Sequence, residues 1–148
     1  MALSFESAAQ EACYKKVAVW MKELFGEAVH VYADSPAFAS RFGTAIVYTW
    51  IRPWGDDAVV DCRAYVVSGA QRTLELTTFL LDENARMRFG AFAIDADGEI
   101  VFRHCNVGST CDKGELEASV GAVAQTADEY DDQIVQRWGG QRALETTR

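Results

Sequence analysis

LELTTFLLDENARMRFGAFAIDADGEIVFRHCNV, from Leu74 to Val107, changes its apolar period partway along. Its first part, Leu74–Asn84, places Leu74, Leu80 and Leu81 on one side of a helix. Its second part offers two short runs rich in Phe, Ile and Val, Arg88–Ile94 and Glu99–Cys105. Between them lies Asp95-Ala96-Asp97-Gly98, whose Asp-Gly pair supplies the positive φ that a tight hairpin turn needs. A helix followed by an antiparallel hairpin is the expectation, and such a unit needs more sheet beside it to form a core.

That sheet is expected upstream. Thr44–Arg52 and Asp57–Val67 read as strands separated by the turn signal Pro53-Trp54-Gly55-Asp56. Alternate residues of the second run, Ala58, Val60, Cys62, Ala64 and Val66, form a wholly apolar row. The other row mixes Asp57, Val59, Asp61, Arg63, Tyr65 and Val67. The first run divides into Ala45, Val47, Thr49 and Ile51 against Thr44, Ile46, Tyr48, Trp50 and Arg52. One face of this sheet is therefore expected to be core, and the other carries Tyr48, Trp50 and Tyr65 among charges. Val29–Tyr32 reads as a further short strand, and Ala33–Phe42 as a loop long enough to suggest mobility or function.

Two long helices complete the pattern. The first spans Ser4–Phe25, with a start at Ser4 or at the capping-box signal Ser7-x-x-Gln10, and a stop at Gly26. The last follows Cys111–Glu115, steps through Leu116, Val120, Val123, Ala127, Tyr130, Ile134 and Trp138, and ends at Gly139-Gly140. Its outer side is acidic, and Asn106–Thr110 before it reads as a polar loop. The order α-β-β-β-α-β-β-α in one domain, residues 1–140, implies an antiparallel sheet with helices packed on one face, an α+β fold. Residues 141–148 are expected to be a flexible tail.

Composition sets bounds on partners. The 148 residues carry a formal net charge of −8, which disfavours a nucleic-acid backbone or an anionic membrane surface as ligand. No apolar run reaches a membrane-spanning length and no export signal is visible at the N-terminus, so the expectation is a cytoplasmic protein with reduced thiols at Cys13, Cys62, Cys105 and Cys111.

Reactive chemistry is hard to assemble from this chain. His104, Cys105, Cys111 and Asp112 have zinc-ligating types, but His104 and Cys105 are adjacent on a strand and point to opposite faces. Asp95–Glu99 begins like a calcium loop yet lacks the glutamate at the twelfth position. His30 and His104 are available to a cysteine, but no local nucleophile signature surrounds any thiol. No metal, cofactor or catalytic residue is expected. Cys111, in a polar loop, is the expected exposed and redox-sensitive thiol. The aromatic set Tyr48, Trp50, Trp54 and Tyr65, with Arg63, serves either core or dimer packing or partner binding.

The run Leu74–Asn84, then Phe89-Gly90-x-Phe92, the turn Asp95–Gly98, and a final helix closing Tyr130–Trp138-Gly139-Gly140 resemble the YbjN-like family, which shares the fold of class I type III secretion chaperones. This resemblance covers about Val59 to Gly140, and the first helix more loosely. It implies a non-enzymatic homodimer that binds other proteins as a chaperone-like adaptor or stress regulator in bacteria. A different class remains open from the residues themselves, a small-molecule binder or enzyme with a pocket between sheet and helices.

Overall fold

A computed structural model describes residues 2–143. In chain order it contains α1 (Ala8–Phe25), β1 (Val29–Val31), β2 (Ala37–Phe42), β3 (Ala45–Trp54), β4 (Asp57–Ser68), α2 (Leu74–Asn84), β5 (Ala91–Ile94), β6 (Ile100–Val107), α3 (Lys113–Trp138) and β7 (Gln141–Arg142). The strands form one antiparallel sheet in the order β1-β2-β3-β4-β6-β5, with β7 added beside β4. This is the expected α+β architecture, with two strands beyond those expected.

The first extra strand is β2, in the segment read as a loop. Ala-Phe-Ala-Ser-Arg-Phe has only two strongly strand-forming side chains. It is held because β1 and β3 both offer it backbone partners, with Ala39 opposite His30 on one side and Tyr48 on the other. The second is β7, within the expected tail. Val67 and Ser68 of β4 pair with Arg142 and Gln141, while β3 reaches back only as far as the Val47–Ala64 pair. The chain end thus occupies the lane that β3 leaves empty. The rest of the expected tail, residues 144–148, lies outside the described residues.

Element ends differ where glycine or pairing decides them. β3 runs through Pro53 and Trp54, and the turn narrows to Gly55-Asp56, with Gly55 at φ +55°. Pro53 is tolerated because β2 stops pairing at Trp50, so its missing N–H faces no neighbour. Residues 88–90 stay outside β5, and β6 extends to Val107. At Gly90, φ is +95° and a Cβ would lie 2.6 Å from the Phe102 ring and 2.8 Å from the Arg103 carbonyl oxygen. Only glycine fits there.

The apolar rows meet as expected. Val47 and Ile51 of β3 and Val60, Cys62, Ala64 and Val66 of β4 are buried against Val17 and Met21 of α1 and Leu116, Val120, Val123 and Ile134 of α3. α1 begins at Ser7, whose hydroxyl accepts the Gln10 N–H; Gln10 returns the contact to the Glu6 N–H and donates to the Ile51 carbonyl. An Asp112–Glu115 capping box starts α3. α2 differs from its reading. Leu76 and Leu80, one turn apart, are buried, whereas Leu74 and Leu81 are 83% and 68% exposed. Phe79 tilts toward Tyr130 and Trp138 of α3, which turns the 76/80 edge inward and the 74/81 edge outward. At the C-terminus of α2 the Asn84 carboxamide donates to the Phe92 carbonyl at 3.1 Å and accepts its N–H at 2.7 Å. That side chain stands in for a neighbouring strand along the outer edge of β5.

A second clasp joins the β2–β3 turn to α3. The Thr44 hydroxyl lies within hydrogen-bonding distance of both Asp128 and Asp131, the latter at 2.8 Å, and Asp128 also accepts the Thr44 N–H at 3.0 Å. One hydroxyl proton cannot serve two carboxylates. Hydrogen bonds from Thr44 hold Asp128 below the ordinary carboxylate range, and burial raises Asp131 above it. The Thr44 hydroxyl can donate to only one of the two at a time, so the ionised Asp131 carboxylate competes with Asp128 for that proton. Asp128 favours the fold above the unfolded carboxylate pKa, and that favour is lost as pH falls through its depressed folded value. Asp131 has the opposite sign: its ionisation costs the fold stability above its raised pKa, and the cost disappears on acidification. Asp131→Asn is therefore expected to stabilise the protein at neutral pH, with the advantage vanishing as pH falls through the carboxylate range. Urea midpoints of both proteins across that range check it.

Candidate functional site

β-strand alternation sends the second row of β3 and β4 away from the helices. Tyr48 and Trp50 stand beside Arg63 and Tyr65 in register, with Tyr48 opposite Arg63 and Trp50 opposite Asp61. With Tyr32 and Ser35 they line a groove of about 470 Å³ on the uncovered face of the sheet. The Tyr48 and Tyr65 rings meet edge to face at 6.0 Å, and the Arg52 guanidinium lies over Trp50 at 5.0 Å. Four of the sequence-derived residues, Tyr48, Trp50, Arg63 and Tyr65, thus come together. Trp54 does not join them: it stands 57% exposed at the hairpin end, opposite Asp57. Tyr32 and Ser35 were missed by the sequence reading. Ser35 lies within the long segment Ala33–Phe42, whose length is the signal for it; Tyr32 ends the expected strand before that segment, and β2 folds the segment back along β3.

Under this face sits an ionic hub that composition alone does not reveal. Asp61 is 2% exposed. Its carboxylate accepts from Arg52 Nε at 3.1 Å and Arg63 Nη2 at 3.3 Å, and lies 3.5 Å from Arg103 Nη2. The Cys105 thiol approaches it at 3.5 Å and receives Arg103 at 3.2 Å. Three guanidiniums share one carboxylate, so the local balance is positive in a protein of net charge −8. Among the described residues, no second carboxylate pairs with any of the three.

The remaining candidates are dispersed. His104 points inward, with Nδ1 at 2.5 Å from the Ser119 hydroxyl, while Cys105 points outward to Asp61. Among the described residues no group of three His, Cys, Asp or Glu is placed to hold a metal ion. His104 and Ser119 have the types of a base and a nucleophile, yet Ser119 is 1% exposed and its oxygen also accepts the Asn106 amide. A substrate has no access to that hydroxyl. Burial also lowers the His104 pKa. The expected exposure of Cys111 is not found: it is 3% exposed, and burial, reinforced by Glu115, pushes its thiol up to about 11. The loop that carries it packs its N–H onto the Val107 carbonyl and turns the sulfur inward. Cys62 lies in the apolar row, with its thiol pushed up to about 12 by burial. Cys105 is the exposed cysteine among the four. Asp95–Gly98 forms a hairpin turn in which Asp95 accepts the N–H groups of Asp97 and Glu99.

No helix is long and apolar enough to cross a membrane among the described residues. No curated protein sequence matches the chain. The structure is similar to that of a chain in the "Crystal Structure of the ExsC-ExsE Complex", with a TM-score of 0.62 and 13% identity over 82% of this chain and 95% of that one. This likeness shows the fold. The sequence model for the family described as "T3SS (YopN, CesT) and YbjN peptide-binding chaperone 1" matches residues 11–146, nearly the whole chain. By that match the chain belongs to the family of type III secretion and YbjN peptide-binding chaperones.

Proposed function

We propose that this protein is a non-enzymatic, chaperone-like adaptor that holds an extended segment of a partner protein on the uncovered face of its sheet. The observation that carries this reading is the groove of Tyr32, Tyr48, Trp50, Arg63 and Tyr65 on the face that no helix covers. Aromatic side chains with a polar tip supply large contact area at low entropic cost, and they lead at binding hot spots. Membership of a peptide-binding chaperone family supports the same reading. The groove lies on the open face rather than between sheet and helices, which favours a polypeptide occupant over an enclosed small molecule.

The protein acts as a homodimer in the bacterial cytoplasm, in stress response. Exposed Leu74 and Leu81, two turns apart on α2, support the pairing by leaving an apolar strip outside the core. A photo-crosslinking residue at position 50 is expected to capture partner polypeptides, while the same residue at exposed Glu117 on α3 captures none. Trp50→Ala or Tyr65→Ala should weaken partner retention by roughly tenfold or more. Equal capture at both positions would count against the face. Sedimentation of the unmodified protein reads the pairing, and a monomer at working concentration removes it.

A further inference from the structure

The arginine arrangement beside the groove points to the chemistry of the partner, an inference that rests on the open face being the docking site. Arg63 of β4 and Arg103 of β6 stand directly opposite one another in register. Like charges in that position repel unless an anion lies between them. Asp61 supplies one such anion, but it is shared with Arg52 and is already fully engaged. In addition, Arg63 Nε is buried with no hydrogen-bond partner. A buried guanidinium N–H without an acceptor is costly, and native structures rarely leave one. The groove therefore has an aromatic wall, Tyr48, Trp50 and Tyr65, that gives way at Arg63 to a cluster with unspent positive charge. Ser35 of the lining donates to the Asp34 carboxylate at 3.2 Å, which ties that acidic group to the groove residue.

We propose that the segment bound here is acidic. It lies extended along β4, with an apolar or aromatic side chain against Tyr48, Trp50 and Tyr65. Two residues on, an Asp or Glu carboxylate reaches Arg63 and Arg103. The spacing follows from strand geometry, since residues i and i+2 share a face. It matches Tyr65 and Arg63 themselves, which are two apart on β4. A carboxylate suits a paired guanidinium site because it accepts two parallel N–H bonds. The overall negative charge of this protein repels acidic partners at long range, so the local arginines select for register and chemistry rather than for rapid encounter.

The test is fluorescence anisotropy of the full chain with a short labelled peptide alternating glutamate and phenylalanine, and with its glutamine counterpart. The acidic peptide should bind at least about tenfold more tightly, and the preference should shrink with added salt. Arg103→Gln, at a side chain nearly half exposed and so replaceable without loss of core, should abolish most of that preference, and Arg103→Lys should restore part of it. Equal binding of the two peptides, lost together in Trp50→Ala, would overturn the acidic assignment while leaving the docking face in place. Peptide binding indifferent to Trp50→Ala would overturn the face itself. An acidic peptide that does not bind, or a single-stranded oligonucleotide that displaces it as well as free peptide does, also overturns the proposal, the latter in favour of phosphate.

Discussion

Phe102→Ala is expected to remove about 3–5 kcal/mol of folding stability, a large fraction of the roughly 5–15 kcal/mol that holds a domain together. The ring is fully buried. It meets Phe92 at 4.9 Å, Phe92 meets Tyr130 at 5.2 Å, and Phe79 links Tyr130 to Trp138 at 6.2 and 5.2 Å. One chain of rings thereby ties β6 and β5 to α3 and α2. Truncation removes the end of that chain and leaves a void beside Gly90, whose backbone conformation is fixed against the same ring. Phe102→Leu, which keeps most of the volume, should cost far less. Urea unfolding of both variants checks the difference; equal midpoints would mean that the ring does not hold hairpin to helix.

Asp61→Asn is the second large effect, about 2–4 kcal/mol destabilising. The change is nearly isosteric, so packing is preserved while the charge and one acceptor oxygen are lost. Arg52 and Arg103, each nearly half exposed, can turn toward water. Arg63 is held more deeply and faces Arg103 without the intervening anion. Because the penalty is mostly repulsion, high salt should recover part of it, whereas salt should do nothing for Phe102→Ala. Unfolding at low and high ionic strength separates the two. A salt-independent loss would show that Asp61 acts through its hydrogen bonds rather than its charge.

Much of this fold is legible in local pattern. The Val60–Val66 row, the stripe of α3 and the Asp97-Gly98 turn each state a period or a backbone requirement in a few residues. β2 is not legible, because its strand character comes from two neighbours with free backbone groups rather than from Ala37, Ala39 or Ser40. α2 misleads because Leu74 and Leu81 satisfy a helical period on the wrong edge, and only the position of α3 decides that Leu76 and Leu80 go inward. For the site, alternation brings Tyr48, Trp50, Arg63 and Tyr65 to one face. The hub at Asp61 needs register as well: Arg52 and Arg103 reach it diagonally from two different strands, and no spacing in the sequence records that. The exposure of Cys105 and burial of Cys111 likewise depend on which way a strand end and a loop turn.

The Asn84 carboxamide on the outer edge of β5 bears on assembly. It occupies the N–H and carbonyl of Phe92 that another strand would need, whereas β1, at the opposite margin of the sheet, has β2 on one side only. A sheet that can recruit strands at both margins can join copies end to end without limit. With one margin stoppered, edge-to-edge joining ends after a single event, a closed pair or one captured strand. By occupying Phe92, Asn84 leaves the β1 margin as the one at which a further strand can pair.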